Sequence, residues 1–144
     1  MSSKFRCIVV GYDGSDCSKK ALEMAASVAG EEPKSEISIV SVLAPSVMYY
    51  PAIANPENVE KERKERAARM LKEAEEHLGP GHAVKQVELL QGNPAKEIVR
   101  YAEDNGCDLI VVGSRGLSGI KEFYLGSTSH NVAQKAKMPV LIVK

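Results

Sequence analysis

Five short runs of small and β-branched apolar residues constrain this chain most: CIVVG from Cys7, EISIVSVL from Glu36, VKQVELLQG from Val84, DLIVVG from Asp108 and PVLIVK from Pro139. Each pair of runs is separated by a stretch that can form a helix. Strand and helix therefore alternate along the whole chain, with neither a repeat nor a linker. The arrangement that buries such runs is a doubly wound α/β fold, a five-stranded parallel sheet with helices on both faces. Sheets of this kind take ligands beyond the carboxyl ends of their strands, where successive connections leave for opposite faces. The first and fourth strands are expected to be neighbours there, because both run into glycine-bearing loops.

The segments between the strands carry helix signals. Ser15 or Asp16 can cap a helix with the apolar stripe Leu22, Ala25, Ala26 and Ala29, and Gly30 ends it. The segment Ala44 to Pro56 holds three prolines and the adjacent Tyr49 and Tyr50. It reads as an apolar loop on the ligand side, and two roles stand for it, closing over a ligand or packing at a subunit contact. From Glu57 to Leu78 a long helix buries Ala67, Met70, Leu71, Ala74 and Leu78. Its Glu57–Lys61, Glu60–Lys64, Glu62–Arg66 and Glu65–Arg69 pairs make a solvated charged face. Asn93 with Pro94 opens a helix that turns Ile98, Val99 and Ala102 inward and stops at Asn105 and Gly106. A last helix is expected from about Ser127 to Lys137.

Composition narrows the function. The chain has 144 residues and is 44% hydrophobic, enough for one core and one site. Nineteen basic and nineteen acidic residues cancel, so no broad positive field exists to hold nucleic acid or an anionic membrane. No run approaches the roughly 20 apolar residues of a membrane span, and the N-terminus does not read as a signal peptide. Cys7, Cys17 and Cys107 show no local pairing motif, so the reading is a cytoplasmic chain without disulfides.

The stretch VVGSRGLSGIKEFYLGST, residues 111 to 128, holds four of the eleven glycines and begins inside the fourth strand. Gly113, Gly116 and Gly126 stand as G-x-x-G-x9-G, followed by Ser127, Thr128 and Ser129 at a helix start. Glycine admits positive φ and lacks Cβ, so amides there can curl closely around an anion. The helix start adds unpaired amides and about half a positive charge, and the hydroxyls add donors. Turn-making glycines alone would explain a lone G-x-x-G. The combination with a strand end and a hydroxyl-bearing helix start points instead to a phosphate site.

The stretch GSRGLSGIKEFYLGSTSHNV, together with VVGYDGS at the first strand and PVLIVK at the end, resembles the universal stress protein family, in its ATP-binding branch. The resemblance spans residues 1–144 as one domain and implies a Rossmann-like fold of the adenine nucleotide alpha hydrolase kind. It implies that Gly113, Gly116 and Gly126 line the phosphates of ATP, that Ser127 and Ser129 bond phosphate oxygens, and that Thr128 contributes its backbone. It further implies Asp13 beside the adenosine, the backbone of Val42 at the adenine and Val112 at the ribose. A homodimer through the C-terminal strand and a regulatory stress-response role without dedicated catalysis follow from the same resemblance. Mg²⁺ or Mn²⁺ would then arrive with the triphosphate, held mainly by phosphate and water oxygens.

Other readings stand beside these. Asp13 can order the DGS turn without a ligand, and the two roles coexist. Arg115, Lys121 and Glu122 read as outward-facing, and His77, His82 and His130 as surface residues rather than metal ligands. The edge of the last strand can be covered by a loop or by the long helix instead of a second chain. An enzyme of a related adenine-binding fold, hydrolysing or adenylate-forming, is one alternative function. A protein-interaction module without nucleotide is another.

Overall fold

The computed structural model describes residues 5–30, 35–45, 56–79, 81, 83–115 and 125–144. Nine elements alternate along it: β1 (Cys7–Gly11), α1 (Asp16–Ala29), β2 (Glu36–Leu43), α2 (Pro56–Leu78), β3 (Ala83–Gln91), α3 (Pro94–Asp104), β4 (Leu109–Gly113), α4 (Ser127–Lys135) and β5 (Val140–Val143). The strands form one sheet in the order β3-β2-β1-β4-β5, and every neighbouring pair is parallel. The doubly wound parallel sheet expected from the alternation is thus the fold observed.

The central strands are buried because both of their faces are covered. Ile8, Val10, Ile37, Ile39 and Val111 pack against Ala21, Leu22 and Ala25 of α1 and Leu71 and Ala74 of α2. On the opposite face Val9, Val40, Ile110 and Val112 meet Ala95, Ile98 and Ala102 of α3 and Val132 of α4. Burial of these side chains on both faces is the main stabilising term of such a sheet. The stripe of α1 runs through Ser18 and Ala21 where Ala26 was expected, since Ala26 is only partly buried. Most charged residues of α2 are exposed as expected, while the half-buried Glu60 and Arg63 pair three residues apart at 3.1 Å.

Helix ends follow the sequence signals. The Ser15 hydroxyl caps α1, accepting from the Ser18 amide at 3.2 Å, and the Asn93 side chain caps α3, accepting from the Lys96 amide at 3.0 Å. Gly30 closes α1 at φ 60°.

One expectation is corrected. Cys7, opening β1, and Cys107, just before β4, are joined as a disulfide with Cα atoms 4.5 Å apart and a sequence separation of 100. A search for local spacing motifs misses a pair that adjacency of two parallel strands creates. The same corner is fixed by Asp108, whose carboxylate accepts from the amides of Arg6 and Cys7 at 3.0–3.1 Å.

Candidate functional site

The order in which strands are added reverses between β1 and β4, although all five run parallel. β1 leads to α1 on one face, whereas β4 leads to α4 on the other, so the carboxyl ends of β1 and β4 meet at the switch point, where sheets of this kind take ligands. The β1–α1 loop, the described ends of the β4–α4 loop and the starts of α1 and α4 are joined there by hydrogen bonds.

On the β1 side, Asp13 Oδ1 accepts from the Ser15 amide at 2.9 Å, while the Asp13 amide donates to Ser18 Oγ at 3.3 Å. This is the turn-ordering role that its sequence context suggests. Gly14 follows at φ 84°, a conformation that L side chains rarely adopt. Ser15 Oγ also donates to the Arg115 carbonyl at 3.4 Å, which joins the β1 loop to the exit of β4.

β2 runs further than β1. Its register with β1 ends at Gly11 opposite Val40, and the Tyr12 amide then donates to the Val40 carbonyl at 2.8 Å. Main-chain groups of alternate residues point the same way along a strand. Leu43 turns its carbonyl to Gly92 beside β3, so Val42, like Val40, turns its N–H and C=O toward the β1 side, where β1 has ended. Val112 differs. It is 3% exposed, paired with Gly11 and Ile142, and packed in the α3–α4 core.

On the β4 side, Gly113 matters for close packing. A Cβ there would lie 2.7 Å from Cys17 C and Cβ and 2.9 Å from Ser18 N, within the first turn of α1. Neither Gly113 nor Gly126 has positive φ; Gly126 is an extended N-cap at φ −65° and ψ 165°. Of the two freedoms that glycine offers, Gly113 uses the missing Cβ. Gly116, Lys121, Glu122 and most of the Ala44–Pro56 loop lie outside the described residues.

α4 begins unlike α1 and α3. Gly126 has no side chain to cap it, no side-chain cap bond is made, and no acid stands in its first turn. The first amides of a helix have no intrahelical acceptor, so those of Ser127, Thr128 and Ser129 are aimed outward from the end carrying the positive dipole. Ser127 is exposed and Thr128 partly so. Ser129 is 1% exposed, and its hydroxyl turns inward toward the carbonyls of Ser114 at 3.0 Å and Gly126 at 3.1 Å.

Three residues absent from the sequence-based site prove to be part of its frame. Ser15 and Ser114 span its two loops, and Cys17 Sγ lies 3.7 Å from Ser114 Oγ. Burial alone would raise the Cys17 thiol, but the hydrogen bond from Ser114, that with the Arg115 backbone and the Arg115 charge together hold it below its ordinary value. The sequence signals only two of them, as small polar residues directly after a loop glycine, Ser15 after Gly14 and Ser114 after Gly113. Arg115 itself is exposed, as are His77, which meets Glu23 across the α1–α2 surface, and His130. Among the described residues no three His, Cys, Asp or Glu side chains converge on a metal site, and no helix is long and apolar enough to cross a membrane.

A doubly wound parallel sheet whose β1 and β4 loops meet at the strand-order switch point, beside an uncapped helix start, defines an α/β domain with its candidate ligand site at that point. Residues 4–144 match the model of the universal stress protein family, to which the chain belongs. It is 38% identical to universal stress protein YxiE of Bacillus subtilis over 97% of this chain and 99% of that protein. Its fold superposes on universal stress protein UspA from Lactobacillus plantarum with a TM-score of 0.84, at 22% identity and covering 99% and 100% of the two chains. A universal stress protein crystallised in complex with cAMP superposes with a TM-score of 0.69, at 30% identity over 99% of this chain and 98% of that one. Membership of this family gives the protein a stress-response role.

Proposed function

We propose that this protein is an ATP-binding universal stress protein, a nucleotide-dependent regulator without dedicated catalysis, acting in the cytoplasm as one domain of residues 1–144. The observation that carries the reading is the uncapped start of α4. α1 and α3 each satisfy an early amide with a side chain, from Ser15 and Asn93, whereas α4 leaves its own for an outside anion.

In this reading the amides of Ser127, Thr128 and Ser129 and the Ser127 hydroxyl receive the phosphates. Gly113, Gly116 and Gly126 keep the loop close to them. The outward N–H and C=O of Val42 match the donor and acceptor edge of adenine, Asp13 borders the adenosine and Val112 forms the floor under the ribose. A divalent ion, Mg²⁺ or Mn²⁺, would travel with the triphosphate and take its ligands from phosphate and water. Phosphoryl transfer needs a placed base or water-orienting group together with a charge clamp, and the described residues supply no such set.

β5 is the other element that invites a partner. All four of its residues are half-buried, and α2 packs over β2 and β3, away from this edge. Pairing with β5 of a second copy would cover the edge in a two-fold dimer, leaving other surfaces to a protein partner that senses nucleotide occupancy.

Denaturing freshly purified protein and resolving the supernatant by anion exchange is expected to release adenine nucleotide. A clean supernatant, with no heat of binding when ATP is added, would refute the reading in favour of an interaction module. AMP and pyrophosphate appearing during incubation with ATP would instead establish an enzyme. The related structure in complex with cAMP supports a second reading, a cyclic monophosphate ligand. Competition between ATP and cAMP for the same site distinguishes the two.

A further inference from the structure

The hydroxyl of Ser129 has no route to a ligand as it stands, because it is buried and engaged with two carbonyls. Those carbonyls belong to the two ends of the β4–α4 connection. Ser114 is the first residue beyond β4, and Gly126 is the residue from which α4 starts. The Ser114 carbonyl receives two donors, the Gly126 amide at 2.6 Å and Ser129 Oγ at 3.0 Å. Its amide donates to the Val143 carbonyl at 2.7 Å, which fixes the Ser114 peptide to the end of β5. The Gly126 carbonyl, also reached by Ser129 Oγ at 3.1 Å, takes the His130 amide at 3.0 Å as the first bond of α4.

We infer that Ser129 is a positioning residue, whose hydroxyl clamps the first turn of α4 to the exit of β4 and so sets the aim of the free amides of Ser127, Thr128 and Ser129. The inference rests on the nucleotide reading above for its consequence, but the clamp exists without a nucleotide. Without the hydroxyl, the turn is held to Ser114 by the Gly126 amide alone. The turn then gains freedom in the direction that moves the amides off a bound phosphate. The hydroxyl belongs to the architecture of the site, and the phosphate-facing hydroxyl is that of Ser127.

The test compares Ser129→Ala with Ser127→Ala in the full chain. Amide hydrogen exchange of nucleotide-free protein should show Gly126 exchanging several-fold faster in Ser129→Ala and unchanged in Ser127→Ala. Affinity for ATP should fall about threefold to tenfold in Ser129→Ala, the range of one intramolecular hydrogen bond, while adenosine binds as it does to wild type. A merely structural loss would weaken ATP and adenosine together, and that result overturns the proposal. Unchanged Gly126 exchange in Ser129→Ala overturns it as well. If wild-type protein takes up no ATP, the nucleotide reading fails. Faster Gly126 exchange in Ser129→Ala would still uphold the clamp in that case.

Discussion

Replacing Gly113 with alanine isolates the packing that brings β4 against α1. The new Cβ would meet Cys17 C and Cβ at 2.7 Å, where ordinary contact begins near 3.4 Å, so about 0.7 Å must be opened. The opposing atoms are main chain and Cβ, which move only with the helix start. That start is held by the Asp13, Ser15 and Ser18 hydrogen bonds and by the bond from Ser15 to Arg115. Overpacking against a fixed backbone costs about 1–3 kcal/mol, and the rigidity here puts Gly113→Ala near the upper end, about 2–3 kcal/mol. With an unfolding entropy of about 2.1 cal/mol/K per residue, a loss of 2 kcal/mol lowers the Tm of this 144-residue chain by about 7 °C. Gly11→Ala is the control. Its Cβ would lie 2.8 Å from Ile98 Cδ1 and 3.1 Å from Val112 Cγ1, side-chain rather than main-chain atoms, so the cost should sit at the lower end of the same range, about 1 kcal/mol. Thermal and urea unfolding of the two variants decide the matter. A Gly113→Ala protein as stable as Gly11→Ala would refute the close approach to α1.

The other perturbations probe the sulfur chemistry and one buried tyrosine. Reducing the Cys7–Cys107 disulfide should lower stability by up to about 4–5 kcal/mol, the chain-entropy value for a loop of about 100 residues. A Tm indifferent to dithiothreitol, or two free thiols by mass spectrometry of the untreated protein, would contradict the link. The Cys17 thiol, held below its ordinary value, should alkylate with iodoacetamide along a pH profile displaced to the acid side of a model thiol, and Ser114→Ala should move the profile back; coincident profiles would count against the contact. Tyr12 is shifted upward by burial first, then by Glu73 and Asp13. The folded state therefore holds its proton longer, and the stability this contributes is present below the unfolded value of about 10 and is lost as pH rises through the folded value. Tyr12→Phe should flatten that alkaline decline, and identical pH–stability curves would remove Tyr12 as its source.

The fold was legible because the buried strands, the stripe of α2 and the helix punctuation at Gly30, Asn93 and Pro94 are local patterns. Each depends on periodicity or on a single residue type. The site was legible only in outline. Asp13, Val42, Gly113, Gly126, Ser127 and Thr128 stand at the carboxyl ends of β1, β2 and β4 or at the helix start that follows β4, but the sequence gives no direction to a side chain. Ser129 follows Ser127 by two residues, which on a helix turns it about 200° from its neighbour, so its hydroxyl faces the core. Val112 carries an apolar side chain in a strand buried on both faces, and that side chain packs in the α3–α4 core. The disulfide and the frame of Ser15, Cys17 and Ser114 arise from contacts about a hundred residues apart in the chain. No local pattern encodes them.

The helix starts of this protein differ in who satisfies them, and that contrast gives a prediction in which stability and binding move in opposite directions. α1 has Asp16 in its first turn and a hydroxyl cap, and α3 has Glu97 and an amide cap. α4 has neither an acid nor a cap, while Lys135 in its last turn favours the negative end of its dipole. Gly126 already occupies an extended N-cap conformation open to any residue, so Gly126→Asp supplies the missing acceptor without a change of backbone. A carboxylate there should add a few tenths to about 1 kcal/mol from capping and from the dipole. The same carboxylate occupies the amides that the phosphates would take and repels a polyanion. Gly126→Asp should therefore melt slightly above wild type and retain far less nucleotide, and Gly126→Ala separates the effect of the added Cβ from that of the charge. A Gly126→Asp protein more stable than wild type that binds ATP equally well would place the anion elsewhere than at the start of α4.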